Sequence, residues 1–412
     1  MLFIVSPFSS AISGRVDHTL KIHFPAQSLP YFSISAMLKP NFDNRFLKVS
    51  KMAEPNGLQP ATNVSFCSSL KDNEWHDLAG PNAFESWHFD AVSDDGREVL
   101  VITFYDNYVL SPRFYVNSAT QPNVIHSGKH RFPAISFVYS VAGKPVLSAV
   151  NEYIDGDFAS GPKNGCSILG SSFHIENAEY GSGYVVNIDL RTFGGRRIRA
   201  ELEWLLIESD LTPPLESKSA AVWNVVAPRA DVSGKIMLVG RRGKTRKMIQ
   251  FRGTGYHDQV TSANVHYRQL DSRMWGRAHF TDSTVVFERH GGARDRSAPG
   301  KFYLIRDGAI DEIEAACQAG DYRRDRYGLL VPWRMSFVAA DRVNLIVKPV
   351  IAFRSGFSEV KMLSEVTLDL DDGKPRKVTG ITEFVNPGRL RSRFVRWISD
   401  LRIGSEDRSP LF

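Results

Sequence analysis

Two short runs hold most of the side chains capable of chemistry. Glu85-Ser86-Trp87-His88-Phe89-Asp90 mixes two carboxylates and an imidazole with indole and phenyl rings. Arg252-Gly253-Thr254-Gly255-Tyr256-His257-Asp258 sets a phenol, an imidazole and a carboxyl in succession, and Trp275-Gly276-Arg277 follows after sixteen further residues. Such side chains can donate, accept or relay a proton. Gly253 and Gly255 would let the backbone turn tightly just ahead of them. A carboxyl at Asp258 buried beside Trp275 or Trp223 would have its pKa raised and stay protonated near neutrality. It could then give a proton to an alkene or hydroxyl, or a hydrogen bond to a carbonyl. Tyr256 could share that role. An Asp in a glycine-containing turn can equally do no more than accept backbone N–H groups, and the residues alone leave both readings open.

Alternation along an extended chain sorts these groups. Tyr256 and Asp258 share one face and His257 takes the other, which makes His257 structural. Glu85, Trp87 and Phe89 likewise share a face, opposite Ser86, His88 and Asp90. Glu85 among aromatics reads as functional, because an unpaired carboxyl there is costly. Asp90 reads as a cap for the turn at Ser93-Asp94-Asp95-Gly96. The catalytic candidates are therefore Asp258, Tyr256 and Glu85. Most aromatic residues of a β protein are core, but Trp87, Phe89, Trp223, Trp275 and Trp333, with Asn151, are the candidates to line an apolar pocket that holds a small molecule.

Strand signals dominate the elements that must position these residues. The runs 99–105, 135–139, 184–190 and 198–204 are short, β-branched or aromatic, and bounded by Gly, Pro or Asn. The last two read as a hairpin. Consecutive prolines in Asp210–Ser219 cannot continue a central strand, so the domain boundary is placed there. The expected organisation is an extended or partly disordered segment at 1–70, a β domain at 71–211, a linker at 212–219 and a β-barrel at 220–412. Helix is scarce: Ile310, Ile313, Ala316 and Cys317 follow helical spacing, and Leu390, Phe394, Trp397, Ile398 and Leu401 fit a C-terminal amphipathic helix, with a strand as the alternative.

From Phe84 onward the chain resembles the hydroxyneurosporene synthase (carotenoid 1,2-hydratase)-like family. Glu85-Ser86-Trp87-His88-Phe89-Asp90 is similar to that family's Glu-x-Trp-(Tyr/His)-Phe-Asp, and Arg252-Gly253 through Asp258 to its Arg-Gly-x-x-Tyr-x-Asp. The resemblance implies an all-β fold of two lipocalin-related antiparallel domains in tandem. It also implies enzymes that include fungal Diels–Alderases of secondary metabolism. Carotenoid hydratases place His-x-Trp before the second block, where this chain has Ala221-Val222-Trp223; the missing histidine counts against hydration. The expected function is a Diels–Alder or hetero-Diels–Alder cyclisation of a hydrophobic polyketide or terpenoid. A hydratase or dehydratase of an alkene or tertiary alcohol, and a lipocalin-like carrier, stand as alternatives.

Composition excludes several other classes. The chain has 412 residues, no apolar run of eighteen, and an apolar start cut by Ser6-Pro7, so neither a membrane span nor a secretory signal is expected, and a cytoplasmic location, or else an organelle lumen, is the default. Three separated cysteines, Cys67, Cys166 and Cys317, suggest neither disulfides nor a zinc knuckle. The net charge of +6 comes from clusters at glycine-containing turns, which argues against nucleic acid. Gly253-Thr254-Gly255 lacks the third glycine of a dinucleotide fingerprint, and no phosphate loop is present. No cofactor is expected, and the spacing of His257, Asp258 and His279 demands no metal.

Overall fold

The computed structural model describes residues 64–404, apart from 79, 81, 121–130, 162–164, 180, 214–220, 264–271, 292–294, 340–342 and 371–373. The β-branched and aromatic runs become strands, whose alternate side chains pack on a half-buried pleated surface. The first sheet takes β1 (Val64–Cys67), β2 (Phe84–Ser93), β3 (Glu98–Tyr105), β4 (Ala134–Val141), β5 (Lys144–Glu152) and β6 (Phe158–Gly161). It continues with β7 (Gly165–Ile168), β8 (Ser171–Ala178), β9 (Gly181–Thr192), β10 (Arg196–Glu208), β11 (Ala221–Val239) and β12 (Thr245–Ser262). Its order is β5-β4-β3-β2-β12-β11-β10-β9-β8-β7-β6, with β1 added in parallel along the first residues of β11.

A closed barrel follows. Its eight strands are β13 (Arg273–His279), β14 (Thr284–His290), β15 (Ser297–Arg306), β16 (Ala309–Gly320), β19 (Arg334–Val338), β20 (Asn344–Ser355), β21 (Glu359–Asp369) and β22 (Arg376–Val385), while β17 (Arg323–Arg324) and β18 (Leu330–Val331) pair separately. Helix among the described residues is limited to α1 (Pro112–Thr120), α2 (Arg393–Asp400) and short 3-10 turns. The all-β class expected from the strand pattern is thus present, as one open sheet and one barrel.

The expected hairpin forms with Tyr184 opposite Trp204 and Leu190 opposite Ile198. Two other expectations are corrected. Ile310, Ile313, Ala316 and Cys317 lie in strand β16, where Ala315, Cys317 and Ala319 alternate inward; the period of two outweighs the coincidental helical spacing. The proline-containing run after Asp210 does not separate two sheets. β10 and β11 on either side of it are hydrogen-bonded neighbours from Arg197/Val239 to Glu208/Arg229, so β11 and β12 complete the first sheet and the barrel begins only at Arg273. Proline ends a strand but does not stop the chain re-entering the same sheet. The segment 1–63 and most of the expected linker lie outside the described residues.

Gly253 and Gly255 also depart from expectation. They sit inside β12 rather than in a turn, and what they supply is close approach. A Cβ at Gly255 would lie 2.6 Å from the Trp204 indole nitrogen and 3.0 Å from the Asp90 carbonyl that this indole reaches. Gly255→Ala is expected to cost about 1–3 kcal/mol through overpacking, read as a lower urea midpoint at unchanged slope.

The first sheet is buried on both faces at β2, β3, β4 and the second half of β12. One face encloses a core with Trp87, Phe89, Phe173, Tyr184, Trp204 and Phe251. The other packs on the outside of the barrel, through Trp223, Val225 and Tyr256 against Trp275, Val286 and Tyr303, and through Val99, Val101 and Val138 against Phe353, Leu363 and Ile381. The barrel interior is a third core, with Phe287, Phe302, Phe337 and Met362.

Candidate functional site

The two motif runs are neighbours in space because β2 and β12 pair antiparallel, Tyr256 opposite Asp90, Asp258 opposite His88, and Gln259 opposite Trp87. Directly opposed residues project to the same side. Tyr256, Asp258, His88 and Asp90 therefore face the barrel, and His257, Gln259, Glu85, Trp87 and Phe89 face the sheet's own core.

On the barrel side, Asp258 Oδ2 accepts hydrogen bonds from Trp223 Nε1 and Tyr256 OH, both at 2.8 Å. Trp223 arrives from β11, and Trp275 from β13 meets it edge-on at 6.0 Å and lies 6.4 Å from Tyr256. The Arg273 guanidinium lies over the Trp223 ring at 4.8 Å and bonds Glu288 at 3.0 Å. Burial pushes the Asp258 carboxyl up to about 7, against the opposing pull of the two hydrogen bonds and the Arg273 charge. Burial and the Asp258 charge hold Tyr256 well above the ordinary phenol range, so it stays a donor. The group is closed: Asp258 is 2% exposed, Trp223 1% and Tyr256 0%. Phe66 of β1 covers one side, stacked on Tyr303 at 3.6 Å and edge-on to Trp223 at 5.9 Å.

A charged network adjoins it. Arg277 Nη2 donates to Asp90 Oδ1, and the Arg277 guanidinium lies 5.1 Å from the Tyr256 ring. Lys361 donates to Glu383, and His88 Nε2 lies 2.8 Å from Asp90 Oδ2 and 3.6 Å from Glu383. Burial, aided by the Lys361 and Arg277 charges, drives the His88 pKa well below the usual histidine range, so the ring is neutral. Burial also lowers the Arg277 guanidinium to about 9. Arg277 Nε and Nη1 are buried without a hydrogen-bond partner.

Of the residues singled out from the sequence, Asp258, Tyr256, Trp223 and Trp275 come together here. Glu85 does not. It sits on the opposite face of the sheet, where it accepts from the His76 backbone at 3.0 Å and from Gln259, and its Oε1 lies 2.8 Å from His76 Nδ1. The premise that this carboxyl lacks a partner is corrected accordingly. Beside it Asp106 is raised to about 8 by burial and by the Glu85 charge. Trp87 packs between Phe158 and Phe173, and Phe89 stacks on His257 at 3.9 Å, so both belong to the sheet's core on that face. His257, lowered to about 3 by burial, points away from Asp258, and the two cannot share an ion.

Asn151 is buried at β5, donating to the Arg191 carbonyl at 3.0 Å. Trp333 packs against the barrel interior with Arg323 over its ring at 5.0 Å. Asp90 does not cap the turn after β2; it is the buried partner of Arg277, and the Ser93 and Asp95 side chains serve the turn. Sequence reasoning missed Arg273, Lys361, Glu383 and the pairing of Arg277. The signal was present for β13: Arg273, Trp275 and Arg277 alternate and so share the strand face that meets the first sheet.

No family model matches the chain. Among curated proteins it aligns with the hydroxyneurosporene dehydrogenase of Chlorobaculum tepidum, 23% identical over 348 residues that cover 80% of this chain and 89% of the relative. The chain is similar to this relative over most of both lengths. The resemblance carried by the two motif runs thus extends over most of its length. Among solved structures, a candidate AttH from Nitrosomonas europaea shares the fold, with a TM-score of 0.54 at 15% identity, over 81% of this chain and 100% of that one. CghA with Sch210972 also aligns, at 15% identity and a TM-score of 0.46, over 74% of this chain and 89% of that one.

Proposed function

We propose that the protein is an enzyme for an unsaturated, hydrophobic small molecule of the polyketide or terpenoid class, bound between the sheet and the barrel, with Asp258 as its acid. The observation that carries this reading is the Asp258 carboxyl, walled by Trp223, Trp275 and Tyr256 and titrating near neutrality. A carboxyl with its pKa near the working pH is the form best suited to proton transfer. Entry to it goes with displacement of Phe66, the residue stacked over Tyr303.

The reaction an Asp258 acid favours is hydration or dehydration, with Asp258 itself supplying the proton although Ala221 stands where carotenoid hydratases carry a histidine. Protonated Asp258 transfers its proton to an alkene carbon, the resulting cation is held by the indole faces of Trp223 and Trp275, and water adds to it and returns one proton to the Asp258 carboxylate. In the reverse direction the proton goes to a tertiary hydroxyl, which leaves as water, and the cation loses a proton from the neighbouring carbon to the Asp258 carboxylate to form the alkene. Tyr256 and Trp223 then stabilise the carboxylate left behind, and the unpartnered Arg277 donors are available to a substrate oxygen. Cyclisation by a Diels–Alder step is the second reading. It is favoured by the same Asp258–Tyr256 pair and Arg277, which could polarise a dienophile carbonyl while the aromatic walls fold the diene.

Product mass separates these readings. Hydration or dehydration changes the substrate by one water, cyclisation returns an isomer, and a carrier returns the substrate unchanged. An acid that must be protonated gives a rate that falls as pH rises through about 7, the Asp258 value. A flat profile from pH 5 to 9, roughly two units either side, would remove Asp258 from proton transfer. Stability follows the same sign. The folded-state pKa is raised from 3.8 to about 7, so this contribution is full below the unfolded value and is lost as pH rises through the folded one.

A further inference from the structure

Helix α2 carries an apolar stripe pointed away from the protein. Val395 and Leu390 are buried and hold it down, while Phe394, Trp397 and Leu401 are 63%, 61% and 58% exposed. The expected amphipathic helix is therefore present with the larger part of its expected apolar face turned outward. The spacing i, i+3, i+7 places the three on one side, and the Phe394 and Trp397 rings lie 6.0 Å apart. Exposed apolar residues scattered singly need no explanation; two aromatics and a leucine grouped on one short helix do.

The setting is cationic. Arg389, Arg391, Arg393, Arg396 and Arg402 lie within or beside the helix, and Arg391 and Arg393 are exposed. The helix's acid, Asp400, is paired with Arg113 Nε at 3.3 Å. A shallow groove of about 640 Å³ runs alongside, lined by Val116 and Phe132 next to Trp397. Aromatic and leucine side chains on one face with arginines at its margin are the composition of a helix that lies in a membrane interface. Arginine supplies the donors for lipid phosphate, and the stripe on eight residues is too small to build a stable protein interface of about 1,000 Å² or more by itself.

We propose that α2 docks the protein on an anionic lipid surface, with Phe394, Trp397 and Leu401 at the boundary of headgroups and acyl chains and the exposed Arg391 and Arg393 on lipid phosphates. No helix among the described residues is long and apolar enough to cross a membrane, so this contact is peripheral. The charge term makes it depend on lipid composition and on salt, since the screening length shrinks from about 10 Å at 0.1 M to about 3 Å at 1 M.

The test uses the full chain and two kinds of vesicle, phosphatidylcholine alone and phosphatidylcholine with about one-fifth phosphatidylserine. Co-sedimentation is expected with the second kind, weakened by high salt and accompanied by a blue shift of Trp397 emission that Trp397→Phe removes. Phe394→Ser/Trp397→Ser should lower partitioning by about tenfold or more with unchanged circular dichroism and melting, because both residues are exposed. Arg391→Gln/Arg393→Gln should abolish the preference for the anionic vesicles. Binding to neither vesicle, or binding that survives the double serine variant, overturns the proposal. So does a chain whose self-association, rather than lipid binding, is lost in that variant.

Discussion

Asp258→Asn is expected to lower turnover by roughly 10²–10⁴, the range for loss of a general acid. The change keeps the side chain's shape and a hydrogen-bond donor, so Trp223 and Tyr256 retain a neighbour to meet, at 2.8 Å in the parent. What it removes is the transferable proton. Binding should change little, so the loss should fall on kcat more than on KM. If Asp258 only polarises a carbonyl, Asn keeps part of the activity and Asp258→Ala loses about one hydrogen bond more, roughly 0.5–1.5 kcal/mol. An Asn variant with parental turnover would place the chemistry elsewhere.

The second large effect is structural. Arg277 is 2% exposed and Asp90 is 0% exposed, and they join the first sheet to the barrel. A buried pair is weak evidence of net stabilisation, but removing one member leaves an uncompensated charge in the interior, at a cost of about 3–5 kcal/mol. Arg277→Met should therefore lower unfolding free energy by about that much in urea titration. Arg277→Lys, which restores the charge without the planar fork, should recover part of it. A Met variant as stable as the parent would mean that neutral His88, at 2.8 Å from Asp90 Oδ2, is partner enough.

Strand alternation made much of the site legible. It placed Tyr256 with Asp258 and apart from His257, and Glu85 with Trp87 and Phe89 and apart from Asp90, as the β2–β12 register bears out. Alternation is a local property and needs no partner strand. Which face of one run meets which face of another depends on pairing between residues 174 apart in sequence, as for Gln259 and Glu85, and no local pattern carries that. Glu85 was therefore grouped with Asp258 although a sheet stands between them. The charged network escaped for a related reason. Arg277, Lys361 and Glu383 look like ordinary solvated positions on strands until the barrel's outer wall is covered by a second sheet. β11 and β12 belong to the first sheet through pairing of the same long-range kind, β12 with β2.

The acid role of Asp258 is tested most directly by titrating its carboxyl, followed by carbon-13 NMR of aspartate-labelled protein against the Asp258→Asn variant. One carboxyl resonance, absent from the variant, is expected to move with a midpoint near pH 7, far above the 3.8 of an ordinary aspartate. A resonance already at its ionised position by pH 5, roughly one unit above the ordinary range, would contradict it. Asp258 would then be a permanent carboxylate held by Trp223 and Tyr256, and no proton donor.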